Sequence, residues 1–276
     1  MGIDLHCHST HSDGSLSPTD LIKLALTNQA TMISITDHDT VSAYRDLPSE
    51  IGLHLVPGVE FSSAWRNLDV HVVGLNVDPY AVDMTLVCNE QAKRRLRRAE
   101  KIAKKLLSKK LIGSVDAALE GVKKIAKGGT IGRPHFAQYL VEMGSCSDTG
   151  AAFKLYLSAG KIGDVKDEWP HMSEVVGWIR SLGGVPVLAH PAKYKASLSK
   201  LVSMVEDFKS FGGRSIEVAS GYQNPETTKL LADICTRFSL SASCGSDFHS
   251  LEKPWSQLGK TQNLPAVCKP VWDEWS

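Results

Sequence analysis

Short apolar runs that end in histidine or a carboxylate recur along this chain, and helical patterns separate most of them. GIDLHCH, TMISITDHD, GLHLVPGVEFSS, DVHVVGLNV, GVPVLAHP, RSIEVAS and SLSASCGSDFH read as about seven strands. SPTDLIKLALTNQ reads as a helix, with Ser17 as N-cap, Pro18 at its first position and Asp20 in its first turn. MSEVVGWIRSLGG, LSKLVSMVEDFKSFGG and NPETTKLLADICTRF supply further helices between the last strands. Such alternation predicts an α/β fold on a parallel sheet, open or closed into a barrel.

Residues 81–170 break the rhythm. VDMTLVCNEQAKRRLRRAEKIAKKLLSKKL is one long helical pattern, GRPHFAQYLVEMG and GAAFKLYLSAG look helical, and no strand is predicted between them. The expected organisation is therefore a barrel from residues 1–80 and 171–276, with 81–170 as a helical insertion. The length of 276 residues suits that arrangement, and 42% apolar residues can supply its core. A net charge of +1 gives no overall field drawing the protein to nucleic acid or membrane. No apolar run approaches the roughly 18–20 residues of a membrane span. The six cysteines are scattered without a CxxC, which argues against a disulfide scaffold or thiolate zinc site. With no signal pattern in residues 1–30, a cytoplasmic location is expected, with no membrane or obligate protein partner.

Alternate residues of a strand share a face, so His6 and His8 point together and Cys7 points away. H-x-H at a strand's end is a ready two-nitrogen chelate. The placement recurs with Asp37, His38 and Asp39 in TDHD, Glu60 in GVE, His190 in AHP, and Asp247 and His249 in GSDFH; His71 lies nearer the start of its strand. In parallel barrels the C-terminal strand ends form one mouth, where catalytic groups collect. Any one histidine alone reads as a structural residue. Six of the ten histidines at such places, with acidic partners, read as metal ligands. Nitrogen and oxygen donors without thiolate suit Mn, Fe or Zn, and so many donors call for two or three divalent transition-metal ions with bridging carboxylates.

DLHCHSTHSDG, TDHD, GVE, AHP and GSDFH together resemble the polymerase and histidinol phosphatase (PHP) family of metal phosphoesterases. VHVVGL, GRPHFAQYLV, GKIGDV and IEVASG are similar to its branch of RNase AM-type 5′→3′ exonucleases and 3′,5′-nucleotide bisphosphate phosphatases. The resemblance spans nearly the whole chain. It implies a distorted (β/α)7 barrel with three ions. His6, His8, Glu60 and Asp247 would hold the first, Asp13, His38 and His249 the second, and Glu60, His71 and His190 the third. Within the SDG loop it favours Asp13 as ligand, with His11 close by but off the metal. Asp37 is expected to orient a neighbouring histidine from behind the ligands, and Asp39 to serve either there or as a helix cap. The implied activity is hydrolysis of nucleotide or short oligonucleotide phosphates by a metal-bridged hydroxide. The alternatives are a small-molecule phosphatase of the histidinol phosphate type and a non-catalytic polymerase-associated module.

On the substrate side, Arg133 and His135 in GRPHF sit at a predicted helix start, a natural phosphate site. Lys161 in GKIGDV is a weaker phosphate contact, since related sequences carry GKPxYV. The run KRRLRRAEKIAKKLLSKK holds ten basic residues and one Glu. Leu96, Ala99, Ile102, Ala103 and Leu106 form its apolar stripe, leaving its charges either solvated or guiding a polynucleotide backbone. His54 and His171 fit no motif and read as structural.

Overall fold

A computed structural model describes residues 2–166, 168–194 and 196–275. Met1, Asp167, Lys195 and Ser276, which fall in the expected domain spans, lie outside the described residues. The first sheet holds β1 (Gly2–Cys7), β2 (Ala30–Ile35) and β3 (His54–Leu55), all parallel. The second is ordered β4 (Gly58–Trp65), β5 (Leu68–Leu75), β6 (Val185–Leu188), β7 (Ser215–Ser220) and β8 (Ser241–Gly245). Single parallel bridges join the two sheets, Cys7 to Phe248 at one seam and His38 to Glu60 at the other.

Two expectations need correction. The stretch GLHLVPGVEFSS is two strands, because Pro57 has no N–H to give a ladder; the Gly58 N–H beyond it donates to Tyr44 Oη at 2.6 Å. The sheet is also mixed rather than parallel. β4 pairs antiparallel with β5, and β5 with β6, over registers such as Glu60–Val73 and Val72–Leu188. Only Arg66 and Asn67 separate β4 from β5, too few residues for a crossover, so a hairpin is the sole connection.

Helix α1 (Pro18–Thr27) starts as read, with Ser17 Oγ accepting from Asp20 N. Its Leu21, Ile22 and Ala25 pack on the outer side of the first sheet with Cys7, Ile33 and Ile35. Helices α6 (Met172–Ser181), α7 (Leu198–Ser210) and α8 (Pro225–Arg237) cover the second sheet through Val176, Met204, Phe208 and Leu231. Between β5 and α6 run α2 (Val82–Ser108), α3 (Val115–Ala126), α4 (Arg133–Glu142) and α5 (Thr149–Ala152), followed by a π turn over Phe153–Leu157. These share a separate apolar cluster, including Ile102, Leu106, Val122, Phe136 and Leu157. The α2 stripe differs from the expected one at one end: Leu96 is 43% exposed. Arg95 and Arg98 turn inward instead, pairing with Asp39 at 2.7 Å and Asp69 at 3.2 Å. No helix among the described residues is long and apolar enough to cross a membrane.

Candidate metal centre

All nine residues read as ligands converge where the two sheets meet. β1 delivers His6 and His8 to one side while Cys7 enters the α1 core, as its alternation requires. The loop after β1 brings Asp13 to within 3.9 Å of His8 and 3.4 Å of His249. Glu60, fully buried on β4, is the hub: His38 lies 2.8 Å away, His71 2.9 Å, His190 3.0 Å, and His6 and His8 3.4 Å each. Four groupings place single donor atoms within 4.8 Å of one another. They are His8, Asp13, His38 and His249; His6, His8 and Asp247; His6, Glu60 and His190; and His38, Glu60 and His71. His6, His8, His38 and Glu60 each belong to two of these groupings.

The donor atoms fit cations. His6 Nε2 and His8 Nε2 are buried and make no hydrogen bond, and His38 Nδ1 and Glu60 Oε2, 2.8 Å apart, make no well-aligned one. A buried polar atom left so is costly unless something else coordinates it. The charges are arranged likewise. Burial disfavours a carboxylate at Glu60, but His71, His38 and His6 outweigh it and hold the group well below its usual range. Burial, with His249 and His38 beside it, pushes His8 down to about 3, so it is a neutral donor. Burial opposes charge on His249 too, yet Asp13 and Asp247 raise it to about 9.

Backbone geometry supports the same place. His190 and Asp247 have φ of 29° and 53°, unusual for side-chain-bearing residues and typical of functional positions. Gly245 is required beside them, because a Cβ there would lie 2.2 Å from His6 Cβ. Gly14 is required in the β1 loop, where a Cβ would meet His8 O at 2.1 Å.

Around the donors the outcome is mixed. Asp37 accepts from Ser9 N at 2.7 Å, Ser9 Oγ at 2.5 Å and Ser12 Oγ at 2.6 Å, and Ser12 Oγ in turn lies 3.5 Å from His8 Nδ1. It therefore fixes the loop that carries Asp13. Asp39 caps no helix; it binds Arg95, Gln91 and the Ser62 N–H. His11 lies apart, between Ser42 and Asp46. His54 is exposed on β3, and His171 caps α6. His135 is buried, with Nδ1 accepting from Gly132 N, and it lines a cleft of about 330 Å³ that reaches Asp13 and His249. Arg133 donates to Leu157 O at 3.2 Å, and Lys161 is exposed; neither lines that cleft.

Three residues escaped the sequence reading. Glu217 Oε2 accepts from His190 N at 2.6 Å and faces His6 Nδ1 at 3.3 Å. Lys193 donates to Asp247 Oδ2. Tyr194 Oη accepts from His71 N at 2.9 Å and donates to Ala189 O at 2.8 Å. Lys193 and Tyr194 lie two and three residues beyond AHP, a proximity that was available as a signal.

The PHP domain profile matches residues 4–182. The chain belongs to the PHP family. It is 40% identical to the 5′-3′ exoribonuclease Rnm of Escherichia coli, across 99% of this chain and 93% of that protein. It is 34% identical to a 3′,5′-nucleoside bisphosphate phosphatase of Chromobacterium violaceum, across 99% and 95% respectively. Among solved structures, an amidohydrolase from Chromobacterium violaceum with bound sulfate and no metal superposes with a TM-score of 0.88 at 34% identity, covering 99% of this PHP chain and 95% of that one. A Bifidobacterium adolescentis protein described as a metal-dependent phosphoesterase gives 0.79 at 28% identity, covering 99% and 94%.

Proposed function

We propose that this PHP protein is a metal-dependent phosphoesterase that hydrolyses nucleotide or short oligonucleotide phosphates, with 3′,5′-bisphosphates and 5′-phosphorylated RNA or DNA as substrates. The observation that carries this reading is the convergence of six imidazoles and three carboxylates on one centre, where buried His6 Nε2 and His8 Nε2 make no hydrogen bond. The relatives' activities supply the substrate class. In this reading the two sheets close into a distorted barrel. Asp13, Asp247, His71, His190 and His249 complete a site for two or three Mn, Fe or Zn ions, with Glu60 shared between positions. Such ions lower the pKa of bound water and screen phosphate charge. The protein's part is to hold imidazoles and ionised carboxylates in fixed places. Residues 81–170 form the insertion, from which Arg133, His135 and Lys161 contact substrate phosphate. A cytoplasmic location belongs to the same reading.

The test is turnover with Mn²⁺ on bis(p-nitrophenyl) phosphate, a mononucleotide 3′,5′-bisphosphate and a 5′-phosphorylated oligonucleotide, together with elemental analysis. Two or more ions per chain and turnover of the nucleotide substrates are expected. At most one ion, or no hydrolysis of any ester by metal-loaded protein, sinks the proposal.

A further inference from the structure

Six of the ten basic residues in the α2 run are engaged in ion pairs. Arg95 and Arg98 are buried in ion pairs with Asp39 and Asp69, and Arg97 and Lys101 pair with Glu168. Lys104 and Lys105 stay exposed on α2 with no ion pair among the described residues, and further free positive charge lies at the mouth of the metal centre. The cleft of about 330 Å³ that reaches Asp13 and His249 is also lined by Lys127 and Lys253. Both are exposed, and among the described residues neither ammonium has an ion-pair partner.

Their backbones are tied to the strand ends that carry the donors. Lys127 closes α3 in the left-handed conformation, with φ of 49°. Two residues on, a Cβ at Gly129 would sit 2.7 Å from Thr10 O, so the chain lies flush against the β1 loop. Thr130 then donates from N to His11 O at 2.9 Å and from Oγ1 to His38 O at 3.0 Å. Lys253 lies in a turn in which its N–H donates to Ser250 O at 3.2 Å and Ser256 N donates to Lys253 O at 3.1 Å. Ser256 Oγ anchors that turn on Ser246 O at 2.8 Å. Each lysine is thus a flexible cation on a fixed post.

We infer that Lys127 and Lys253 bind the phosphodiester chain of an oligonucleotide where it leaves the metal centre, making this cleft the track for the polymeric part of the substrate. The inference rests on the proposed phosphoesterase reading and names its longer substrate. Mobile ammonium groups act as point charges and follow a flexible backbone without reading its sequence. A mononucleotide bisphosphate or aryl diester has no chain to lay in the cleft.

The test compares wild type with Lys127→Gln/Lys253→Gln, which removes both charges and keeps the side-chain length. Metal content and thermal midpoint are checked first, and kcat/KM is then measured for the three esters named above. For the oligonucleotide, kcat/KM should fall roughly tenfold at low salt, and its log–log salt slope should flatten by about 1.4, two contacts at about 0.7 each for a single strand. The bisphosphate and aryl ester should be unchanged. Lys104→Gln/Lys105→Gln on the exposed face of α2 should leave all three substrates unchanged.

Wild-type handling of the oligonucleotide by the cleft variant overturns the inference while the proposed function stands. An equal loss on all three esters, or the same flattening from the α2 variant, also overturns it. A wild-type protein inert toward every ester removes the proposed function and this inference with it.

Discussion

Glu217 offers the sharpest test of how the centre is held, because two substitutions separate its two roles. Its Oε2 accepts from His190 N at 2.6 Å and faces His6 Nδ1 at 3.3 Å, all in buried surroundings. Glu217→Gln can keep an oxygen at that place and removes the charge. A charged hydrogen bond contributes about 1.5–3 kcal/mol against about 0.5–1.5 for a neutral one. The difference, about 1–1.5 kcal/mol, is roughly tenfold in affinity for an ion held by His6 Nε2. Glu217→Ala leaves both His190 N and His6 Nδ1 buried without an acceptor, at about 1–3 kcal/mol each. It also frees His190 to leave its φ of 29°. Calorimetric Mn²⁺ titration of chelator-treated protein, with urea midpoints for both variants, reads the two effects. The expected outcome is about tenfold weaker binding at one position in the Gln variant, at near wild-type stability. The Ala variant should lose about 2–6 kcal/mol of stability as well. If the Gln variant binds every ion as wild type does, or the Ala variant is as stable as the Gln variant, Glu217 is not the support described.

Glu60→Gln should lower metal content by more than one ion per chain and abolish turnover, because five imidazoles surround that carboxylate, whereas exposed His54→Asn should change neither; elemental analysis and ester turnover check this. In metal-free protein the raised pKa of His249, about 9, contributes stability that is full below its unfolded value and is lost as pH rises through about 9. Metal affinity should rise over the same window, since a ligating imidazole must be unprotonated, so urea midpoints should fall and Mn²⁺ affinity increase between about pH 6.5 and about pH 9. Arg95→Ala should cost about 3–5 kcal/mol by leaving Asp39 buried and unpaired, against about 0.5 or less for exposed Lys104→Ala, read from denaturation midpoints.

Much of the fold was legible because apolar runs and capping residues are local. Ser17 and Pro18 fix the start of α1, and the long pattern after residue 81 gives α2 within a residue of its observed start. The β4–β5 hairpin was not legible by its residue types. Its turn is Arg66–Asn67, without the Asn-Gly or Asp-Gly signature, and Arg66 takes φ of 52° despite its side chain. The two-residue interval alone carried the information. On α2, the stripe rule placed Leu96 inward and the arginines outward. The partners that reverse this, Asp39 and Asp69, lie 56 and 29 residues away, beyond any helical periodicity.

The donors themselves could be read because strand alternation converts H-x-H and D-x-H spacing into shared faces. Their supports could not be read the same way. Asp37 lies in TDHD and was expected behind a histidine; it faces His8 only through Ser12, which the folded loop brings between them. Glu217 stands mid-strand in a segment buried at all six positions, where no motif spacing singles it out. Its signal was thermodynamic: a carboxylate in a fully buried strand is too costly to stand without donors. That cost says a partner exists, but not which one. The partners are His190, 27 residues away, and His6, 211 residues away, and both are brought to Glu217 by the pairing order of the sheets. A buried charge on an apolar strand is therefore a reason to look for the donors it supports, even where the strand carries no ligand of its own.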